Sequence, residues 1–437
     1  MRHAASILAA IALAACALTP SVTTAQAGDT ATIAPRSLFA GSDALAAFAP
    51  SWDIEVKSYE TQRRVAHYLD VFSGRARERV TEWLERGSRY ESLIRAKFKE
   101  GGLPGDMYYL ALVESGFDPN AYSKAAAVGM WQFMTGTGRD MGMRIDWWVD
   151  ERRDPVKSTG AAVHFIRDLR DRFGSMYLAA AAYNGGPGRV ARGLVRYAGD
   201  LEGKEGDDAF FVLADKAYLK NETRDYVPQL IAAALIAKDP SRYGMEVHAR
   251  PAFAYDSVTV AASTPLAAVA KAAGVATADI KELNPHLLRG MTPPRDSTRV
   301  RIPIGTANGF DSSLAVLSRD ERLATRTVES KKGETAKSVG HAHGISEIAI
   351  VAFNPKLKRL KSGRLVPGQS VLVPTAAVAA ASLNVPDPSI QRYPTVSKKK
   401  KAHQAKSAAK SKKGARKKLA TLRAATPAKK RASRVSP

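Results

Sequence analysis

Apolar positions recur every three or four residues through most of residues 51–245, as in Thr61–Leu84 and Ser158–Phe173, with Gly and Pro confined to short breaks. That period gathers apolar side chains on one face of an α-helix, so the stretch is expected to fold as a mainly α domain. The texture changes at Val258. Two short segments follow, each with β-rich edges around a helical middle, and they repeat one another. Ala273-Gly274-Val275 with Asn284-Pro285 returns as His343-Gly344-Ile345 with Asn354-Pro355, an offset of 70 residues, and each segment closes on an apolar strand ending in Pro303 or Pro374. Such self-similarity marks a duplicated unit. In the second copy Arg326-Thr327-Val328-Glu329 reads as a strand, Gly333-Glu334-Thr335 as a turn into a helix, Ser346 as the cap of a second helix and Ser370–Val373 as the closing strand. The order is strand, helix, helix, strand, an α+β unit spanning 325–375, with its counterpart over 255–305.

The two ends of the chain follow neither pattern. Arg2 and His3 precede an apolar run from Ala4 to Leu18 that is too short to span a bilayer stably, so residues 1–27 read as an export signal and 28–50 as a linker of small residues. Two processing sites compete: Leu13-Ala14-Ala15-Cys16 resembles a bacterial lipobox, and Ala25-Gln26-Ala27 an ordinary signal-peptidase site. Cys16 is the only cysteine of 437 residues, which excludes an intramolecular disulfide and leaves it as a lipid attachment point or a discarded residue. The expected location is the periplasm or cell envelope, with the outer membrane as the place of a lipid anchor at Cys16. Residues 376–437 are expected to be disordered, and 398–437 carry sixteen Lys/Arg and no Asp/Glu, so two thirds of the formal net charge of +24 sits there. Such a polycation suits anionic wall polymers or lipid head groups, and export argues against a nucleic-acid partner.

Candidate chemistry lies between Asp106 and Tyr183. Met107, Leu110 and Glu114 fall at i, i+3 and i+7, so Glu114 shares a helix face with apolar residues and points inward. Gly116 and Pro119 end that helix, which places the carboxyl near a helix C-terminus. Burial and the dipole both raise its pKa, as a proton donor to a glycosidic oxygen requires near neutral pH. Ordinary glycosidases use two carboxyl groups, but Asp118 lies in the turn Phe117-Asp118-Pro119-Asn120, where Asp normally caps backbone amides. The charge run Asp150–Asp154 reads as a solvated or ion-paired surface with a structural role. No His, Cys and carboxylate cluster has metal-ligand spacing and no Gly-rich segment follows a strand as a phosphate loop, so neither metal nor any other cofactor is expected.

Ser123 in Ala121-Tyr122-Ser123-Lys124, then Gly129-Met130-Trp131-Gln132-Phe133-Met134, then Ala182-Tyr183-Asn184-Gly185-Gly186 follow Glu114-Ser115 in order. Together they resemble the lytic transglycosylases with a lysozyme-like soluble-lytic-transglycosylase (SLT) domain. Asp146–Pro155 and Glu222-Thr223-Arg224-Asp225-Tyr226-Val227-Pro228 resemble the membrane-bound group of this family that carries C-terminal LysM modules, and the repeated unit resembles LysM, which binds N-acetylglucosamine-containing glycans. The first copy departs from that pattern, having Ser263-Thr264-Pro265 in place of Gly-Glu-Thr. The resemblance implies Glu114 as catalytic acid and then base, Tyr183 supporting its carboxyl, and Ser123, Gly129, Met130, Gln132 and Asn184 on the substrate, with Gly129 letting backbone approach the saccharide. It implies cleavage of the MurNAc–GlcNAc bond of peptidoglycan without water, giving 1,6-anhydromuramoyl ends. A hydrolytic muramidase of the same fold and an inactive peptidoglycan-binding scaffold are the alternatives.

Overall fold

A computed structural model describes residues 59–204, 206–383 and 385–389; the expected export signal, Cys16, the linker and nearly all of the basic tail lie outside the described residues. The first domain is built from α1 (Arg63–Ser73), α2 (Arg77–Ser88), α3 (Glu91–Glu100), α4 (Tyr109–Ser115), α5 (Thr135–Asp140), α6 (Pro155–Phe173), α7 (Met176–Gly185), α8 (Pro187–Arg196), α9 (Asp208–Asp215) and α10 (Asn221–Lys238). The run Thr61–Leu84, periodic throughout, is two helices, because Gly74 closes α1 by donating its N–H to Asp70 O at 2.9 Å. Leu230–Ile236 of α10 is buried on every side, and α1, α4, α7 and α9 pack around that helix. Ala179–Ala182 of α7 are buried as well, and their small side chains let α6 and α10 approach closely.

Two two-stranded units follow. In the first, β1 (Asp256–Val260) pairs antiparallel with β2 (Thr298–Ile302) around α11 (Leu266–Ala273) and α12 (Thr277–Leu283). Two short helices, α13 (Phe310–Ala315) and α14 (Arg319–Arg322), lead to the second unit, where β3 (Thr325–Glu329) pairs with β4 (Ser370–Pro374) around α15 (Ala336–Ala342) and α16 (Glu347–Phe353). The start of the segment expected to be disordered is instead ordered: a final helix, α17 (Ala376–Leu383), follows β4 and buries Val378, Ala379 and Ser382. Thr335 and Ser346 cap α15 and α16, accepting from Ser338 N and Ala349 N. The repeated asparagine has one job in both copies. Asn284 donates to Ile280 O (2.8 Å) and Arg301 O (2.7 Å) while accepting from Arg301 N (2.9 Å), and Asn354 does the same with Ile350 O, Leu372 O and Leu372 N at 2.7, 2.8 and 2.8 Å. It ties the second helix of each unit to the closing strand.

The charge run Asp150–Asp154 is ion-paired and structural, as expected, but largely buried and not at the surface. Asp150, Arg152 and Asp154 are only 1%, 1% and 2% exposed. Arg152 grips both oxygens of Asp150 at 2.9 Å and donates to Phe133 O and Thr135 Oγ1. Asp154 caps α6 and receives Arg301 of β2 on both oxygens at 2.8 Å. The cover comes from the first repeated unit: Asp150 N donates to His286 O (3.0 Å), Val149 bridges Leu287, and the Arg289 guanidinium lies 3.5 Å over the Trp147 ring. Arg289 also donates to Trp147 O, Ser382 O and Val385 O at 2.8, 2.9 and 2.7 Å, which joins the helical domain, the first unit and α17 in one knot. A run of alternating charge is solvated only when no other segment covers it, and here segments more than a hundred residues away do.

Candidate active site

Glu114 stands in the last turn of α4, a helix of seven residues that ends where Gly116 turns left-handed (φ 60°), followed by Phe117 at φ 60°. A side chain at Gly116 would run into the Trp83 ring, so the turn is closed by packing as well as by conformation. The neighbouring Ser115 donates to Met130 O at 2.8 Å and accepts from Asp118 N at 3.1 Å, which fastens the Glu-Ser segment to the Gly-Met-Trp-Gln segment. Asp118 caps the following turn by accepting from Asn120 N at 2.8 Å.

Glu114 keeps partial contact with solvent, yet its carboxyl is desolvated enough for burial to push its pKa up to about 7. The hydroxyl of Tyr226 donates to Oε1 at 2.6 Å and pulls in the opposite direction, while the negative charge of Glu222 adds to the upward shift. Both groups come from α10, one turn apart. Burial first, and the Glu114 charge second, hold the Tyr183 and Tyr226 hydroxyls well above the usual phenol range, so both remain donors. The short α4 contributes little dipole, and burial is the leading cause of the shift.

The hydroxyl that bonds the carboxyl is therefore not that of Tyr183. Tyr183, near the C-terminus of α7, donates to Trp131 O at 2.7 Å and meets Glu114 only through its field. Its ring packs against Phe133 and Phe165. Asn184, next in the chain, accepts at Oδ1 from the buried Thr223 hydroxyl (2.8 Å), leaving its amide N–H groups uncommitted among the described residues. Three residues of α10, Glu222, Thr223 and Tyr226, thus reach Glu114 and Asn184. Their segment stands out in the sequence, but no spacing rule joins Tyr226 to a carboxyl 112 residues away.

Two other expectations require correction. Gly129, at φ 84°, turns its open side toward the Arg152 carbonyl, which an added Cβ would overlap, so the close approach that requires a glycine here is that of the protein's own backbone. Met130 is 1% exposed and lies in the core, with its carbonyl taken by Ser115. Gln132, at φ 50°, curls back to donate Nε2 to Gly129 O at 2.9 Å and leaves Oε1 as an acceptor. Ser123 accepts from Ala125 N and Ala127 N at 3.2 and 3.0 Å, organising its loop while its own O–H remains a donor. Among the described residues, no group of three or more His, Cys, Asp or Glu side chains could hold a metal ion, and no helix is long and apolar enough to cross a membrane.

A raised carboxyl bonded by a tyrosine, in a helical domain followed by paired β-α-α-β units, is the setting of an enzyme that works by carboxyl acid–base chemistry. Residues 91–205 match the Transglycosylase SLT domain family, 254–319 the family described as "Lytic transglycosylase MltD, LysM-like domain", and 331–374 the LysM domain. The membrane-bound lytic murein transglycosylase D of Escherichia coli K12 is 30% identical over 314 residues, covering 69% of this chain and 67% of that one. The peptidoglycan transglycosylase gp16 of Escherichia phage T7 is 31% identical over 156 residues, covering 35% of this chain and 11% of the other. The solved lytic transglycosylase Slt of Pseudomonas aeruginosa aligns with a TM-score of 0.28 at 25% identity over 36% of this chain and 24% of its own. The chain belongs to the membrane-bound lytic murein transglycosylase D family.

Proposed function

We propose that Glu114 performs both proton transfers in non-hydrolytic cleavage of the MurNAc–GlcNAc bond. The supporting observation is a carboxyl that burial holds near pKa 7 while a tyrosine hydroxyl orients it. Protonated Glu114 gives its proton to the departing glycosidic oxygen as the substrate's own acetamido carbonyl closes on the anomeric carbon. The resulting carboxylate then takes the proton of the muramoyl 6-hydroxyl, whose oxygen displaces the acetamido oxygen and closes the 1,6-anhydro ring. Glu114 is protonated again and no water is consumed. Tyr226 orients the carboxyl directly; Tyr183 acts through the Trp131 carbonyl, keeping the Gly129–Gln132 turn against the site. Gln132 Oε1, the Ser123 hydroxyl and the Asn184 amide are the groups proposed to meet the acetamido sugar. Gly129 and Met130 shape the turn that carries Gln132.

Glu222 gives the hydrolytic alternative its one specific support, since a second carboxylate acts on Glu114. Mass spectrometry of muropeptides released by the full chain separates the readings. Anhydromuramoyl ends that persist in Glu222→Gln and vanish in Glu114→Gln support the single-carboxyl mechanism; reducing ends that require both residues would establish hydrolysis.

The substrate places the enzyme in the cell envelope. We assign residues 1–27 to export and anchoring, cleavage before Cys16 leaving that residue as the lipid attachment point, 51–245 to catalysis, 255–305 and 325–375 to the LysM-like units, and the basic tail to anionic surfaces. Metabolic labelling with a radioactive fatty acid, lost in Cys16→Ser, tests the anchor.

A further inference from the structure

A groove of about 570 Å³ lies in the seam between the helical domain and the first repeated unit, lined by Asn120 and Arg153 on one side and Lys281 and Glu282 on the other, and bordered by Val385 and Pro386. Asn120 is three residues from Ser123, so the groove adjoins the loop that carries a proposed sugar contact. Its charge is unbalanced. Glu282 pairs with Arg89 at 3.1 Å, whereas exposed Lys281 forms no ion pair or side-chain hydrogen bond among the described residues. Arg153 donates Nη1 to Asn120 O and Oδ1 at 3.2 and 3.1 Å, while its Nε is buried and has no acceptor among the described residues. Two cations thus line a cavity with apolar borders. That combination suits a carboxylate-bearing chain with small apolar side groups.

We propose that this groove is a subsite for the carboxylate-bearing stem peptide attached to the muramoyl sugar, with Arg153 and Lys281 as its anion partners. The inference rests on the reading of the chain as a peptidoglycan-cleaving enzyme and deepens it, because the charge run that holds the domains together would also select substrates carrying peptides. Arg153 is the side chain of that run turned to the groove, whereas Arg152 and Asp154 are committed to buried ion pairs.

Kinetics of the full chain on peptide-bearing glycan strands, compared with strands stripped by an amidase, test the proposal. Lys281→Glu and Arg153→Gln are expected to raise KM for the peptide-bearing strands by about tenfold, with kcat and the kinetics on stripped strands unaltered. Lys281→Glu lies on the exposed face of α12, so its result does not depend on folding at the seam. Equal effects on both substrates, or none from either variant, overturn the subsite. Failure of the unsubstituted chain to release anhydromuramoyl products from either substrate overturns the underlying reading instead.

Discussion

The carboxyl of Glu114 sits between two opposed influences, and each can be removed alone. Tyr226 donates to the carboxylate and favours it, while Glu222 disfavours it. In Tyr226→Phe the alkaline limb of the kcat profile is therefore expected to move up in pH, and in Glu222→Gln down, with kcat of Tyr226→Phe lowered by about tenfold or more. Shifts in the same direction would mean that the limb reports another group. The raised pKa also has a cost to stability. Its folded-state value, about 7, exceeds the 4.5 of an ordinary glutamate. Folding therefore opposes ionisation of this group, and stability falls as pH rises from 4.5 toward 7. Glu114→Gln is expected to be more stable than the parent above pH 7, by at most about 3 kcal/mol, with the gain fading at acid pH. Chemical denaturation at pH 4 and pH 8 measures it.

At the scale of elements, much of the architecture is visible in the residue pattern. The Gly116 stop after Glu114, the caps Thr335 and Ser346, and the strand, helix, helix, strand order of the second unit are all local signals, and local signals are what a single sequence displays. The repeat offset already points to Asn284 and Asn354, although their shared hydrogen bonds emerge only once helix and strand are brought together. Asn354→Ala leaves the Leu372 N–H and O and the Ile350 O short of a partner and is expected to cost about 2 to 3 kcal/mol, measurable as a fall in the denaturation midpoint. Gly129→Ala is a harsher change, since it meets both a positive φ and the Arg152 carbonyl. What the pattern does not display is pairing across long separations: the Tyr226 partner of Glu114, the diversion of Tyr183 to Trp131, and the cover over Asp150–Asp154.

For the molecule as a whole, that cover is decisive. The bidentate Arg301–Asp154 pair is nearly dry and belongs half to each domain. Removing one member leaves a buried charge, so Arg301→Ala is expected to destabilise the seam by about 3 to 5 kcal/mol and to split a single calorimetric transition into two. A single undivided transition in the variant would show that this pair is not what makes the two parts melt as one unit. The second unit is fastened to the same assembly, with Ala324 N donating to Ser263 O at 2.7 Å and Phe353 set edge-on against Trp148.

The Arg289 knot then turns the molecule into a caliper. Its guanidinium fixes Trp147, Ser382 and Val385 to one another, so the span between Glu114, the proposed cutting carboxyl, and the repeated units is set by the fold and not by a flexible tether. A blade on a rigid arm, held at one point of a polymer, meets the strand at a fixed number of repeats from that point. The fragments it leaves would then have a preferred length, where a loosely leashed enzyme would leave a continuous ladder.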